Sequence, residues 1–240
     1  MNISKNTTVG ELAGSLPGAV RLFEKLGIDF CCGGRVSLED VCREKNLALD
    51  QVLAALETIK EVQQTASHNR DWSTSSLTEL ISHIVEKHHS YVRKETPGIT
   101  GLLEKICEVH GKNRPEFLKV RDAWSALKDE LAHHMYKEEM ILFPFIERLE
   151  GSNRGSSARP FAPFGTVRNP IQMMLHEHDS AGRLLADIQG LLTDRTGCNT
   201  SLEFFRSVDE FERDLHQHIH LENNILFPRA EELETLVTQE

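Results

Sequence analysis

Apolar positions predict four long amphipathic helices in the C-terminal two-thirds of the chain. Apolar residues recur there at spacings of three and four, the period of an α-helix with one buried face, over residues 76–96, 115–149, 169–193 and 200–232. Ser76 and Glu79 form a capping-box pattern at the first start, and Pro97 with Gly98 is expected to end that helix. Because strand patterns are essentially missing from the sequence, an all-α fold is predicted.

The first 60 residues follow a different pattern, with short segments separated by helix starts and breakers. Thr8 with Glu11 and Ser37 with Asp40 have capping spacing, and glycines punctuate the segments between them. Residues 1–60 are therefore predicted to form a small N-terminal helical domain. Residues 61–75 are polar and aperiodic and indicate a linker, and residues 76–240 are assigned to the bundle. A Gly-, Ser- and Pro-rich stretch at 151–169 is expected to connect the second and third helices without helical structure.

A histidine and a glutamate interrupt the apolar stripe of the second helix and again that of the fourth. In the second helix His134 and Glu138 take the vacant places in the series Phe117, Val120, Trp124, Leu127, Leu131 and Ile141. In the fourth helix His218 and Glu222 take them in the series Phe204, Val208, Phe211, Leu215 and Ile225. In both copies a proline, Pro144 or Pro228, follows the glutamate by six positions. Both pairs are therefore predicted to point inward.

The other two helices each offer an inward histidine. His178 is in register with the apolar stripe of the third helix, whereas His176 is not. On the first helix one apolar series aligns with His88 and another with His89, so periodicity leaves both open. His216 and His220 fall off the stripe of the fourth helix, His83 and His110 are expected to be surface or packing residues, and His68 lies in the linker.

These inward groups are best explained by a shared metal site. A buried carboxylate costs several kcal/mol unless its charge is compensated, and a cation between the two glutamates would compensate both. A lone inward histidine is more often a core residue, and a lone buried glutamate can be a salt bridge, but the duplicated pair favours metal binding. Four imidazoles and two carboxylates suit a pair of iron ions. The sequence has no H-E-x-x-H zinc motif, and its His-x-x-x-Glu spacing differs from the Glu-x-x-His of ferritin-like proteins.

Composition narrows the function classes further. The formal net charge is −10 and the chain lacks a Lys/Arg block, so nucleic acid and anionic membranes are not expected partners. The N-terminus lacks the layout of a signal peptide, and no apolar run approaches the roughly 18 residues of a membrane span. A cytoplasmic location is therefore expected. Five cysteines without framework-like spacing suit free thiols in a reducing compartment.

Several motifs together resemble one family. "HMYKEEMILFP", "MLHEHDSAG", "HIHLENNILFP", "VEKHHSYVRKETP" and "GIDFCCGG" resemble the iron–sulfur cluster repair di-iron proteins, also called repair of iron centres proteins. The resemblance covers nearly the whole chain and implies a hemerythrin-like up-down four-helix bundle. The implied metal ligands are His89, His134, Glu138, His178, His218 and Glu222. The resemblance thus selects His89 over His88.

The resemblance also implies a function and partners. It implies two non-haem iron ions, bridged by the glutamates and an oxo group, in a protein that repairs iron–sulfur clusters damaged by nitrosative or oxidative stress, by donating iron. The alternative is a nitric oxide reductase or a di-iron protein that binds nitric oxide or oxygen, so enzyme activity is left open. The expected partners are damaged iron–sulfur proteins and these small ligands, and a homodimer is compatible with the sequence.

The adjacent Cys31 and Cys32, followed by Gly33 and Gly34, form a second candidate site. Neighbouring cysteines join in a disulfide only under strain, so paired thiolates could serve iron transfer, nitric oxide binding or thiol redox chemistry. The simpler alternative is a glycine turn after a helix with two partly buried thiols. Cys42, Cys107 and Cys198 are expected to be ordinary free cysteines.

Overall fold

Four short helices build the N-terminal part of the chain. In the computed structural model, which describes residues 3–65, 72–155 and 160–239, they are α1 (Val9–Ser15), α2 (Pro17–Leu26), α3 (Leu38–Glu44) and α4 (Leu49–Thr65). The predicted capping box of Thr8 and Glu11 is present, and Ser37 caps α3. Gly27 ends α2 with a φ of 62°, a conformation that glycine adopts without a Cβ clash. Across the described ranges there is no strand, only an isolated bridge between Thr8 and Ser37.

The remaining helices form four long rods, here called bundle helices 1 to 4. Bundle helix 1 consists of α5 (Leu77–His83), π1 (Ile84–His89) and α6 (Ser90–His110). Bundle helix 2 consists of α7 (Glu116–Lys137), π2 (Glu138–Leu142) and α8 (Phe143–Asn153). Bundle helix 3 is α9 (Arg168–Leu191), and bundle helix 4 consists of α10 (Asn199–Leu221), π3 (Glu222–Leu226) and α11 (Phe227–Gln239). They pack as an up-down bundle, which confirms the predicted all-α fold.

Bundle helix 1 does not end at Pro97, so the predicted end at residue 96 is wrong. The helix passes through the proline and continues to His110. An interior proline costs about 3 kcal/mol, but Ile99, Leu103 and Ile106 beyond it are at most 2% exposed. Burying three such side chains contributes roughly 1.5–3 kcal/mol each, which exceeds the cost of the proline.

Bundle helix 2 changes its register at π2, and the predicted place of Ile141 in the buried stripe is wrong. Ile141 is 48% exposed, whereas the next residue, Leu142, is 1% exposed. A π turn holds more residues than an α turn because its hydrogen bonds reach five residues back. The additional residue carries Ile141 out of the stripe and keeps Leu142 inside it.

The buried residues form two apolar clusters, one on each side of the layer that contains the predicted ligands. One cluster is built from α5, α8, α11 and the start of α9. The other joins α6, α7, α10 and the end of α9 to the N-terminal helices. The N-terminal part and one end of the bundle therefore share a single apolar core.

The predicted connections differ in detail from the structure. Helix α4 runs to Thr65 and so extends into the segment 61–75 that the sequence assigns to a linker. His68 lies outside the described residues. In the predicted non-helical stretch 151–169, α8 continues to Asn153 and α9 begins at Arg168. No helix in the described part of the chain has the length and hydropathy that crossing a bilayer requires.

Candidate metal centre

Each of the three π segments lies at a predicted ligand. His89 is the last residue of π1, Glu138 is the first of π2, and Glu222 is the first of π3. π2 and π3 each end two residues before a proline, Pro144 or Pro228. A proline lacks the amide donor, and its ring crowds the carbonyl four residues earlier. The repeated spacing of glutamate and proline therefore gives a physical reason for two of the three π segments, and such segments are frequent at functional sites.

Side chains from all four bundle helices meet in one buried layer: His89, His134, Glu138, His178, His218 and Glu222. They form two overlapping groups in which the potential ligand atoms lie within 4.8 Å of one another. His89 and His218 belong to the first group, and His134 and His178 belong to the second. Glu138 and Glu222 belong to both groups, which is the position that a bridging carboxylate requires.

The distances within the layer show how the two glutamates are shared. Glu222 Oε1 lies 2.9 Å from His218 Nε2, and its Oε2 lies 3.0 Å from His178 Nε2. Glu138 Oε2 lies 3.2 Å from His134 Nε2 and 3.4 Å from His89 Nε2. The two oxygens of Glu222 thus face different imidazoles, one from each group.

The buried carboxylates are incompletely satisfied by the protein itself. Within the described part of the chain, neither oxygen of Glu138 has a hydrogen bond of good geometry, although two imidazole nitrogens lie nearby, and both glutamates have no exposed surface. An uncompensated buried carboxylate costs several kcal/mol. Imidazole nitrogens and carboxylate oxygens are ligands that iron and similar cations accept. The residues present therefore fit a pair of cations held between the two glutamates.

The shifted pKa values in this layer indicate that its buried carboxylates favour a positive charge nearby. Burial lowers the pKa of His89 and of His134, but contacts with Glu138 and other neighbouring glutamates outweigh it and raise each pKa to about 10. For Glu138, burial and the charge of Glu222 raise the pKa, but the neighbouring imidazoles lower it further, to about 2. The pKa of His218 is lowered, chiefly by burial. The carboxylates thus attract positive charge strongly.

Three of the four histidines have a partner at the other ring nitrogen, Nδ1. His89 Nδ1 lies 2.6 Å from a Glu139 oxygen, and His134 Nδ1 lies 3.0 Å from a Glu177 oxygen. His178 Nδ1 lies 2.7 Å from Asn223 Oδ1. In metal sites such contacts orient the imidazole and leave Nε2 free to bind the ion. His218 Nδ1 is buried and has no hydrogen-bond partner among the residues that the structure describes.

The two candidate histidines of bundle helix 1 occupy different environments. His89 Nε2 faces the layer, 3.1 Å from His218 Nε2. His88 is also fully buried, but its Nδ1 pairs with Asp214 at 3.0 Å, and its ring stacks on that of His218 at a centroid distance of 5.8 Å. The structure therefore brings His89, and not His88, into the groups of potential ligands.

The Cys31–Cys32 turn packs directly against the bundle beside His178. Cys32 Sγ lies 3.7 Å from the His178 carbonyl oxygen, and Asn223 Nδ2 donates to the Cys31 carbonyl at 3.1 Å. Ligand atoms of Asp29, Cys31 and Cys32 lie within 4.8 Å of one another. The Cys31 thiol donates a hydrogen bond to the Cys32 sulfur at 3.9 Å, and no disulfide joins the two. The turn is thus close to the layer but separate from it.

Close backbone approach explains one glycine of this turn. A Cβ on Gly34 would lie 2.7 Å from Asn224 Oδ1 and 2.8 Å from the Phe30 carbonyl oxygen. Asn224 donates to that same carbonyl at 3.0 Å. His220, which falls off the apolar stripe, is nevertheless buried, because Phe30 and Asn224 cover that face of bundle helix 4.

Sequence reasoning missed the groups that support the ligands. Glu139, Glu177 and Asn223 each directly neighbour a predicted ligand in the sequence. They stand in the polar triplets "KEE", "HEH" and "ENN". This adjacency was the available signal. Cys198 was expected to be an ordinary free cysteine, but hydrogen bonds from Ser201 and His110 lower the pKa of its thiol to about 6.

Comparisons with known proteins agree with this geometry. The protein-family model described as the hemerythrin HHE cation-binding domain matches residues 80–230. A second family model, a domain of unknown function named ScdA_N, matches residues 5–60. The chain is 35% identical over 230 residues to the iron–sulfur cluster repair protein YtfE of Pectobacterium carotovorum, covering 94% of this chain and 97% of that protein. It is 37% identical over 231 residues to the proteins of the same name from Yersinia pseudotuberculosis and Yersinia pestis, with the same coverage.

These matches confirm the family resemblance that the sequence motifs indicated. They extend over both the N-terminal helices and the bundle, so the likeness is not limited to the ligand layer. The bundle is a cation-binding domain of the hemerythrin type, and its buried histidine and glutamate groups are compatible with that description. The chain therefore belongs to the family of iron–sulfur cluster repair proteins.

Proposed function

We propose that this protein repairs iron–sulfur clusters damaged by nitrosative or oxidative stress, by donating iron from a centre of two non-haem iron ions. His89, His134, His178 and His218 would be terminal ligands, and Glu138 and Glu222 would bridge the ions. The observation that carries this proposal is that both buried glutamates belong to both groups of potential ligand atoms. The relatives named above are iron–sulfur cluster repair proteins, which supports the same function.

The donor set suits an ion that must leave again. Four imidazoles and two bridging carboxylates do not fill the coordination positions of two six-coordinate ions. Bound iron would supply an exchangeable, redox-active cation for an acceptor cluster. The protein's own contribution is to hold the imidazoles through Glu139, Glu177 and Asn223, and to keep the layer between two apolar clusters.

We propose a role in thiol or iron-transfer chemistry for Cys31 and Cys32. Both residues line a cavity of about 1410 Å³ between the N-terminal helices and the bundle. Their sulfurs are close to each other and to the Asp29 carboxylate, which gives a cation three potential ligands. Replacing both cysteines with serine should slow iron transfer to an acceptor while the iron content of the layer stays unchanged. Unchanged transfer would remove this role.

Metal binding is tested by Glu138→Gln. We expect the iron content to fall from about two ions per chain to below one, because an amide cannot bridge two cations as a carboxylate does. Metal analysis and the absorption spectrum measure this, and the spectrum also tests the expected oxo bridge. Glu130→Gln is the matched control, since Glu130 lies on the same helix but is exposed. Wild-type protein without bound iron after anaerobic reconstitution would refute the proposed centre.

Repair is tested with a damaged iron–sulfur enzyme. The iron-loaded protein should restore its activity when a ferrous chelator in the solution intercepts free iron, and the Glu138→Gln variant should not. Free ferrous iron without the chelator is the positive control. If only free iron restores the enzyme, the donor role is wrong.

The alternative function is nitric oxide reduction or binding, which the open coordination positions also permit. Formation of nitrous oxide over many turnovers with an added electron donor would favour a reductase, and nitric oxide binding without product would favour a carrier or sensor.

We further propose a cytoplasmic location, because five unpaired cysteines suit a reducing compartment. Homodimer formation stays a prediction, which light scattering would test.

A further inference from the structure

Asn223 is the only supporting group of the ligand histidines, among the described residues, that also contacts the N-terminal part. Its Oδ1 accepts from His178 Nδ1 at 2.7 Å, and its Nδ2 donates to the Cys31 carbonyl oxygen at 3.1 Å. The two contacts fix the orientation of the amide, because a rotated amide would oppose donor to donor and acceptor to acceptor. One side chain thus joins a ligand imidazole to the Cys31–Cys32 turn.

The corresponding groups of two other histidines are anchored within the bundle. Glu139 supports His89 and pairs with Arg93, and Glu177 supports His134 and pairs with Lys137. These partners are carboxylates, which raise the basicity of an imidazole more than a neutral amide does. His178 therefore differs from them in the charge of its partner and in what that partner holds.

Among the described residues, two further polar contacts join the turn to this part of the bundle. Asn224 donates to the Phe30 carbonyl at 3.0 Å, and Cys32 Sγ lies 3.7 Å from the His178 carbonyl oxygen. A shift of the turn would therefore reach the imidazole of His178 through Asn223, whereas Cys32 contacts only the backbone carbonyl of His178. Asn224 holds the same turn but contacts none of the six predicted ligands in the hydrogen bonds described.

We propose that Asn223 is a positioning residue that couples the state of the Cys31–Cys32 turn to the ion held by His134 and His178. The inference rests on the proposed function, since it requires the two-ion centre. Coupling between two sites is reciprocal. The turn should therefore influence release of one ion, and occupancy of the layer should influence the reactivity of the two thiols.

The first experiment measures iron release from the full-length protein, loaded anaerobically with two ferrous ions, to a chromogenic ferrous chelator. Two phases are expected, because the two ions have differently supported histidines. Asn223→Ala should accelerate one phase roughly 10–100-fold, the usual effect of removing such a support, and leave the other unchanged. Asn223→Asp keeps an acceptor for His178 and should slow that same phase. Asn224→Ala is the control: it removes the contact with the Phe30 carbonyl but keeps the contacts of Asn223 with His178 and Cys31, so both phases should stay as in the wild type.

The second experiment measures alkylation of Cys31 and Cys32 by mass spectrometry, with and without two bound ferrous ions. Iron should slow alkylation in the wild type and in Asn224→Ala, and should have no effect in Asn223→Ala or Asn223→Asp. The exposed Cys198 is an internal control whose rate should not depend on iron. A merely structural asparagine would not give this selective pattern.

Failure of this inference is distinguishable from failure of the proposed function. A wild-type protein that does not bind two ions would refute both. Two bound ions with wild-type release phases in Asn223→Ala, or an iron effect on Cys31 and Cys32 that survives that substitution, would overturn the coupling and leave the proposed centre intact.

Discussion

The surroundings of Cys31, Cys42, Cys107 and Cys198 shift their thiol pKa values in different directions. The hydrogen bond to Cys32 and burial raise the pKa of Cys31 well above its usual value, and burial raises the pKa of Cys42 and of Cys107. Cys198 is exposed and precedes the first turn of α10. Hydrogen bonds from Ser201 and then from His110 stabilise its thiolate and lower its pKa to about 6. A residue type alone therefore does not specify its reactivity.

Cys198 is predicted to be the thiol most readily alkylated near pH 7. A lowered pKa means that the reactive thiolate predominates above about pH 6. The rate of iodoacetamide labelling at Cys198 should reach half its maximum near that pH, while Cys42 and Cys107 remain largely unlabelled at pH 7. Ser201→Ala should shift the midpoint upward. A wild-type midpoint near the ordinary thiol pKa would contradict this assignment.

At the scale of the element, the helices tolerate irregular residues where tertiary burial compensates for them. Bundle helix 1 contains Pro97, Gly98 and Gly101, all of which disfavour an isolated helix. Its buried face beyond the proline keeps the segment helical. These three residues therefore make the helix locally less stable than the same packing would make it with better helix-forming residues.

Gly98→Ala and Gly101→Ala are predicted to stabilise the protein. A Cβ at either position meets no described atom within 4 Å apart from its chain neighbours and its own helix backbone, and alanine restricts the unfolded chain more than glycine does. Each substitution should raise the free energy of unfolding by about 0.5–1 kcal/mol in chemical denaturation. Gly34→Ala is the contrasting variant and should destabilise, because its Cβ would lie 2.7 Å from Asn224 Oδ1. A lower stability of both helix variants would contradict the prediction.

At the scale of the whole molecule, the ligand layer divides the bundle interior, and the N-terminal helices complete one side of it. Phe23 of α2 has no exposed surface and belongs to the apolar cluster that also contains α6, α7 and α10 residues. Because the N-terminal helices and the bundle share this cluster, their stabilities are not independent. We therefore expect them to unfold together.

Phe23→Ala should lower the stability of the bundle as well as that of the N-terminal helices. Truncating a buried phenylalanine costs about 3–5 kcal/mol through lost burial and the cavity left behind. The far-UV signal and the absorption of the bound metal should then shift to lower temperature together. Phe161→Ala is the control, because Phe161 is 86% exposed. Two separate transitions in the wild type would show that the parts unfold independently.

Much of the architecture was determined by the sequence itself. Helical periodicity gave four bundle helices, because a buried stripe must repeat every three to four residues. It also marked His134, Glu138, His218 and Glu222 as inward, because polar residues that interrupt a buried stripe are conspicuous. The structure brings all four together, with His178, in one layer.

Other features could not be predicted from helical periodicity and depend on the tertiary structure. The choice between His88 and His89 and the exposure of Ile141 depend on π1 and π2, whose additional residues shift the register that regular periodicity assumes. The helix continues beyond Pro97 because distant side chains bury its apolar face. Asn223 joins His178 to Cys31 across 45 and 192 residues of chain. Local sequence patterns do not specify such contacts, because they form only when separate elements pack together.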